Sequence, residues 1–275
     1  MTFRRCALVA LFAALAGFAE AAPRRVVSAN LCADQLLLAL AEPAQIVSLS
    51  ALAADPTLSP VADQARAYPL NRGVAEELVR LDADLVLIGA HDAPFTRALL
   101  AEKKLPIYAL PPWRSLAEGR AQIRDLAERL GQTARGEALI SEIDAALARA
   151  RGAAGRPATF LTLHRRGYVP GARTVTTEIA EAAGLRDVSA DLGLAAGGFA
   201  PLERVIAARP DFLLVSDLDA EAADQGKALL WHPALAALYP PERRLVSADP
   251  LTLCAGPATP RAIDALAAEI RARTR

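Results

Sequence analysis

The residues with chemistry to offer in this chain are few, and most stand directly after an apolar run. Cys32 and Asp34 follow RVVSAN, His91 and Asp92 follow DLVLIGA, and Trp113 and Arg114 follow LPIYALPP. In the second half His164, Arg165, Arg166 and Tyr168 follow PATFLTL, Asp217 follows DFLLVS, and Cys254 lies beyond RLVSAD. The spacing of these groups decides what they could do. His91, His164 and His232 are too far apart for a local metal motif, so a zinc or manganese site would need His91, His164 and an acid brought together by the fold. His232 precedes Pro233, which suits a helix start better than a ligand role. No Gly-x-Ser-x-Gly elbow, phosphate-binding loop, His-Glu-x-x-His or Cys-x-x-Cys occurs, which leaves no enzymatic signature. Trp113 after a strand-ending Pro-Pro is a platform for a flat ligand or the cover of an exposed edge. Arg165 and Arg166 suit carboxylates of a ligand, or water.

These residues are presented by alternating strands and helices. RVVSAN (25–30) reads as a strand and LCADQLLLAL (31–40) as the helix after it. Strands follow at 45–51, at 84–90 and at 105–110, with a helix at 74–81. These continuous Val/Leu/Ile runs between helices predict buried, mostly parallel strands covered on both faces. Two helical stretches come next, 116–130 and 134–151, separated by Gly131, with Thr133 expected as N-cap of the second. The second is about 27 Å long, enough to reach from one lobe to another. A further series has strands at 157–163, 211–216 and 244–249 and helices at 175–184, 201–210 and 257–274. The halves echo each other: Glu76 and Glu203 each stand eight residues before an aspartate, Asp84 and Asp211, that opens an apolar strand.

The first residues predict export. Arg4 and Arg5 precede an apolar run from Cys6 to Phe18, and Ala19-Glu20-Ala21 supplies small residues at a cleavage site, so residues 1–21 read as a signal peptide. With 31 basic and 31 acidic residues and no basic stripe, a nucleic-acid partner is not expected. Membrane insertion of the mature chain is not expected either. Removal of the signal leaves Cys32 and Cys254, which an oxidising compartment would join. Two unrelated buried thiols, or a thiolate pair gripping a metal chelate, are the other readings.

RVVSANLCADQLLLALAEPAQIVSLS resembles the opening of the periplasmic binding proteins for cobalamin and iron siderophores, and so do AEELVRLDADLVLIGA and PLERVIAARPDFLLVS. The resemblance covers the whole mature chain. It implies an α/β fold of two Rossmann-like lobes, each with a mostly parallel sheet, joined by one long rigid helix with the ligand cleft between them. The expected divisions are 22–115 for the first lobe, 116–156 for the helical region and 157–275 for the second. It implies a periplasmic monomer without catalytic residues, cofactor or resident metal. That monomer would capture a metal chelate, a corrinoid or a ferric siderophore, and deliver it to an ABC permease and its ATPase. The alternatives on this scaffold are a protein that binds haem or a metal ion directly, and an exported enzyme or chelatase. Glu76 and Glu203 map onto the family's permease-docking glutamates. Asn30, Cys32, Asp34, His91, Trp113, His164, Arg165, Tyr168 and Cys254 are the expected ligand-contacting residues. Ala83 departs from the family's proline before the first lobe's aspartate, whereas Pro210 keeps it in the second.

Overall fold

The computed structural model describes residues 21–91, 94–216, 226 and 228–274; the expected signal segment, apart from Ala21, lies outside them, as do Asp92 and Asp217. The chain order is β1 (Val26–Ser28), α1 (Leu31–Leu40), β2 (Ile46–Ser50), α2 (Ala62–Ala65), β3 (Leu70–Asn71), α3 (Ala75–Arg80), β4 (Leu85–Gly89), α4 (Pro94–Glu102), β5 (Ile107–Leu110), α5 (Leu116–Arg129) and α6 (Thr133–Ala150). It continues through β6 (Ala158–Thr162), β7 (Tyr168–Val169), α7 (Val175–Ala182), β8 (Leu185–Asp187), β9 (Gly198–Phe199), α8 (Leu202–Ala208), β10 (Phe212–Ser216), α9 (Pro233–Leu238), β11 (Arg244–Ser247), α10 (Asp249–Thr252) and α11 (Thr259–Thr274).

Each lobe is built on a parallel sheet. The first has strand order β3-β2-β1-β4-β5 and the second β11-β10-β6-β8, and a short antiparallel ribbon of β7 and β9 stands apart. Every pairing within the two larger sheets is parallel. Register follows from burial: Val26, Val27 and Ser28 face Leu85, Val86 and Leu87, and all six side chains are buried. A strand buried on both faces has no polar side to present, which is why these runs are continuous rather than alternating.

The Glu-to-Asp echo of the sequence has a structural counterpart. Asp84 accepts hydrogen bonds from the N–H groups of Arg24 and Arg25 at 2.8 and 2.9 Å, pinning the start of β1. Asp211 accepts from the Thr159 N–H at 2.8 Å and so pins β6 in the same way. Two residues before each aspartate, Asp82 and Arg209 hold left-handed backbone, at φ 49° and 44°. Both lobes thus enter a central strand through the same tight turn, despite Ala83 in one and Pro210 in the other.

Helix α6 joins the lobes. It packs against α5 and α1 on one side and α7 and α11 on the other. One apolar core runs through it from Leu36 and Leu49 to Phe160 and Ile263. Gly131 turns the chain from α5 into α6 at φ 70°, a conformation glycine adopts without the Cβ penalty. Thr133 is not the cap expected from the sequence. It is the first helical residue, and Gln132 holds the N-cap position without a side-chain bond. Arg124–Glu137 and Arg149–Asp264, both at 2.7 Å, brace α6 on its two sides. These exposed pairs contribute little beside the shared core. A further strut crosses the lobes, with the Glu178 carboxylate of α7 accepting the Leu116 N–H at the start of α5, 2.8 Å away.

Candidate functional site

The carboxyl ends of both sheets open on the same cleft. Where β1 ends, Asn30 caps α1: its side-chain oxygen accepts the N–H groups of Cys32 and Ala33 at 2.9 and 3.1 Å. That bond places Cys32 in the first turn of α1, within reach of the segment after α10. Cys32 and Cys254 form a disulfide with Cα atoms 5.0 Å apart, a covalent tie between the lobes at the cleft.

Around this tie lies a cavity of about 310 Å³. The first lobe contributes Asn30, Cys32, His91, Trp113 and Gln122, and the second contributes Thr174, Thr176, Thr252, Leu253 and Cys254. Trp113 is fixed as a wall. Its indole N–H donates to Gln122 Oε1 at 2.7 Å, and Gln122 in turn donates to the Pro111 carbonyl at 2.9 Å. The ring lies so close to Gly119 that a Cβ there would meet Trp113 Cε3 at 2.3 Å. A second cavity of about 210 Å³ adjoins it on the second lobe and is lined by Thr162, His164, Pro170, Leu214, Ser216 and Ser247 together with Thr174, Thr176, Thr252 and Leu253. A third recess, lined by Arg114, Ser115, Glu118, Pro170, Arg173 and Glu178, carries the charges at one end.

An aromatic ledge extends from His164. Its imidazole stacks near Tyr168 with ring centroids 6.4 Å apart, and Tyr168 pairs with Phe199 at 5.4 Å across the β7–β9 ribbon. The two rings are 40% and 66% exposed, a large apolar surface to leave in water. Gly167 at φ 75° makes the ribbon possible, because a Cβ there would stand 2.5 Å from the Ala200 carbonyl oxygen.

Among the described residues that line these cavities, Asp34 and Arg165 do not appear. Asp34 is fully buried beneath the cleft, accepting from the Ser50 N–H at 3.0 Å and from the Ser50 hydroxyl. As a first-turn residue of α1 it faces the sheet rather than the cleft, and burial pushes its carboxyl up to about 6 against the lowering effect of the Ser28 and Ser50 hydrogen bonds. Arg165 stands exposed in the turn before β7. Asn30, Cys32, His91, Trp113, His164 and Cys254 do line the cavities, and Tyr168 stands on the ledge. His232 caps α9, its Nδ1 accepting the Ala234 N–H at 3.2 Å. The hydroxyl residues Thr162, Thr174, Thr176, Ser216, Ser247 and Thr252 were not singled out from the sequence. Thr162, Ser216 and Ser247 close strands, Thr174 and Thr176 begin α7 and Thr252 ends α10, positions that share no sequence signal.

Glu76 and Glu203 are exposed in the first turns of α3 and α8, one in each lobe. Among the described residues, no three His, Cys, Asp or Glu side chains come together as a metal site. No helix among them is long and apolar enough to cross a membrane.

The sequence profile of a family described as periplasmic binding protein matches residues 26–239. Among solved structures, the chain is similar to the apo form of the periplasmic heme-binding protein RhuT from Roseiflexus sp. RS-1. Identity is 29% and the TM-score 0.72, over 92% of this chain and 99% of that one. It is also similar to the periplasmic heme-binding protein BhuT in complex with two hemes, at 25% identity and a TM-score of 0.69, over 92% of this chain and 100% of that one. The periplasmic vitamin B12 binding protein BtuF of Vibrio cholerae shares the fold at 15% identity and a TM-score of 0.66, over 92% of this chain and 98% of that one. No curated protein matches the chain.

Proposed function

The chain belongs to the periplasmic binding protein family, and on that premise we propose that it is the binding component of an ABC-type importer for a flat, tetrapyrrole-type metal chelate. The observation that carries the reading is the aromatic surface of both lobes, where Trp113 and His164 line the cavities and Tyr168 and Phe199 stand beyond His164. Trp113 is fixed on the first lobe, and the His164–Tyr168–Phe199 ledge stands exposed on the second. A planar macrocycle covers such rings face to face and recovers the free energy that their exposure costs. The heme-binding names of the similar RhuT and BhuT structures support the same ligand class.

In this reading residues 1–21 are a cleaved export signal and the protein works in the periplasm as a monomer. Asn30, His91, Trp113, His164 and Tyr168 contact the chelate. The chelate is handed to a membrane permease driven by its ATPase, with Glu76 and Glu203 meeting cationic side chains of that permease. Exposed carboxylates at the two lobe surfaces set docking register and on-rate more than binding energy. Titration of the mature protein with haemin, dicyanocobalamin and a ferric trihydroxamate, followed by visible absorbance and native mass spectrometry, tests the proposal. One tetrapyrrole is expected to bind at one per chain with Kd of about 1 μM or tighter. Binding of the trihydroxamate alone, or of none of the three, refutes it.

A further inference from the structure

We infer that the Cys32–Cys254 disulfide is a redox-gated metal donor: on reduction, Cys32 presents a thiolate to the cavity and takes an axial position on the chelate's metal. The inference deepens the tetrapyrrole reading and rests on it.

Both cysteines line the cavity of about 310 Å³ between the lobes, and both are partly exposed. The bond therefore stands in the wall of the space that the cargo fills, beside His91 and Trp113. A tetrapyrrole supplies its metal with four in-plane nitrogens, so a single protein side chain completes an axial position. A cysteine thiolate is a strong donor there, whereas a disulfide sulfur is a poor one.

The two sulfurs are held differently. Cys32 lies in the first turn of α1, a ten-residue helix capped by Asn30, whose side chain accepts the Cys32 and Ala33 N–H groups. Its neighbours Leu31, Ala33, Asp34 and Gln35 are buried, so Cys32 keeps its place whether or not the bond is made. Cys254 lies in the short connection between α10 and α11, and the next residue, Ala255, holds left-handed backbone at φ 43°. That conformation is unfavourable for a residue with a Cβ and persists where the surroundings hold it. Cleavage of the bond lets the connection relax and draws Cys254 away, while Cys32 remains in the cavity wall. The positive end of α1 also favours negative charge on the sulfur it carries.

The reductant is a protein dithiol. One of its thiolates attacks Cys254 Sγ, the Cys32–Cys254 bond breaks, and the electron pair leaves on Cys32 Sγ. The second thiol then displaces Cys254 from the mixed disulfide. The dithiol ends as a disulfide, having given up two electrons and two protons. One proton passes to Cys254 and the other to solvent, and Cys32 is left as thiolate. That thiolate donates a lone pair to the metal and displaces an axial water, and the metal keeps its oxidation state.

The test titrates haemin and metal-free protoporphyrin IX into the oxidised parent and into parent reduced by a phosphine that is then removed under argon. Cys32→Ser and Cys254→Ser are titrated beside them. Reduction is expected to tighten haemin about tenfold and to leave the metal-free ring within about twofold. It is also expected to bring a sulfur-to-iron charge-transfer absorption. Cys254→Ser, which leaves Cys32 free, is expected to show that absorption without reductant, and Cys32→Ser to lack it in every state. Should a variant fail to fold, reduced parent with and without iodoacetamide treatment gives the same reading, because alkylation removes the donor. An equal gain for both rings, or charge-transfer absorption that persists in Cys32→Ser, overturns the inference. Haemin that binds alike to oxidised and reduced parent overturns the donor and leaves the tetrapyrrole reading standing, whereas binding of neither ring in either state removes both.

Discussion

Loss of the Cys32–Cys254 bond should be felt in stability far more than in the shape of the folded protein. The two residues sit on opposite lobes, at the first turn of α1 and just beyond α10, and are 222 positions apart in sequence. In the folded protein α6 and a continuous apolar core already hold the lobes together, so the bond adds little new restraint there. In the unfolded chain it closes a loop of nearly the whole mature protein. The chain-entropy relation gives about 5 kcal/mol for a loop of that size. For a protein of this length that corresponds to a fall in Tm of about 10–20 °C. The perturbation is the double replacement of Cys32 and Cys254 by Ser, compared with the oxidised parent by thermal and urea unfolding, with thiols counted in denatured, unreduced protein. The parent should show no free thiol from this pair. The variant should keep its far-UV spectrum and unfold at lower urea. A loss below about 1 kcal/mol would refute the loop-closure argument, and two titratable thiols in the unreduced parent would refute the bond itself.

Three further outcomes are expected. Asp34 has its folded pKa raised from 3.8 to about 6, so the stabilisation is present below pH 3.8 and is lost as pH rises through 6. Relative to Asp34→Asn, the parent should therefore lose about 2 kcal/mol of unfolding free energy between pH 4 and pH 7, and a flat or opposite difference profile in urea melts would show that the carboxyl is not desolvated as described. Gly119→Ala places a methyl 2.3 Å from Trp113 Cε3, so it should cost about 1–3 kcal/mol and shift the tryptophan emission; an unchanged spectrum and Tm would mean the ring is not packed there. Replacing both Glu76 and Glu203 by Ala should leave chelate affinity within about twofold and cut uptake into cells sharply, since exposed charges act on docking rather than on the cleft; normal uptake by the double variant would remove them from the permease contact.

The sequence by itself determined what depends on local order. Continuous apolar runs at 85–89 and 212–216 specify buried parallel strands, and LCADQLLLAL specifies α1, which runs from Leu31 to Leu40 as expected. The Glu-to-Asp echo was legible as a repeat, because it depends on residue type and spacing alone, whereas the pairing of Cys32 with Cys254 was one of three readings until the fold brought the two together. Tertiary structure decided the rest. The two-residue strands β3, β7 and β9 are too short to carry a period, and they exist because partners elsewhere in the chain hold them. The burial of Asp34 followed from which side of α1 meets the sheet, and loops alone could not reveal it. The cleft's hydroxyl lining could not be read from any one segment, since it joins Thr162, Thr174, Ser216, Ser247 and Thr252 from separate strand ends and turns. A site of this kind is set by how two sheets face one another across a helix, and that arrangement follows from the shared core rather than from the order of residues within any one stretch.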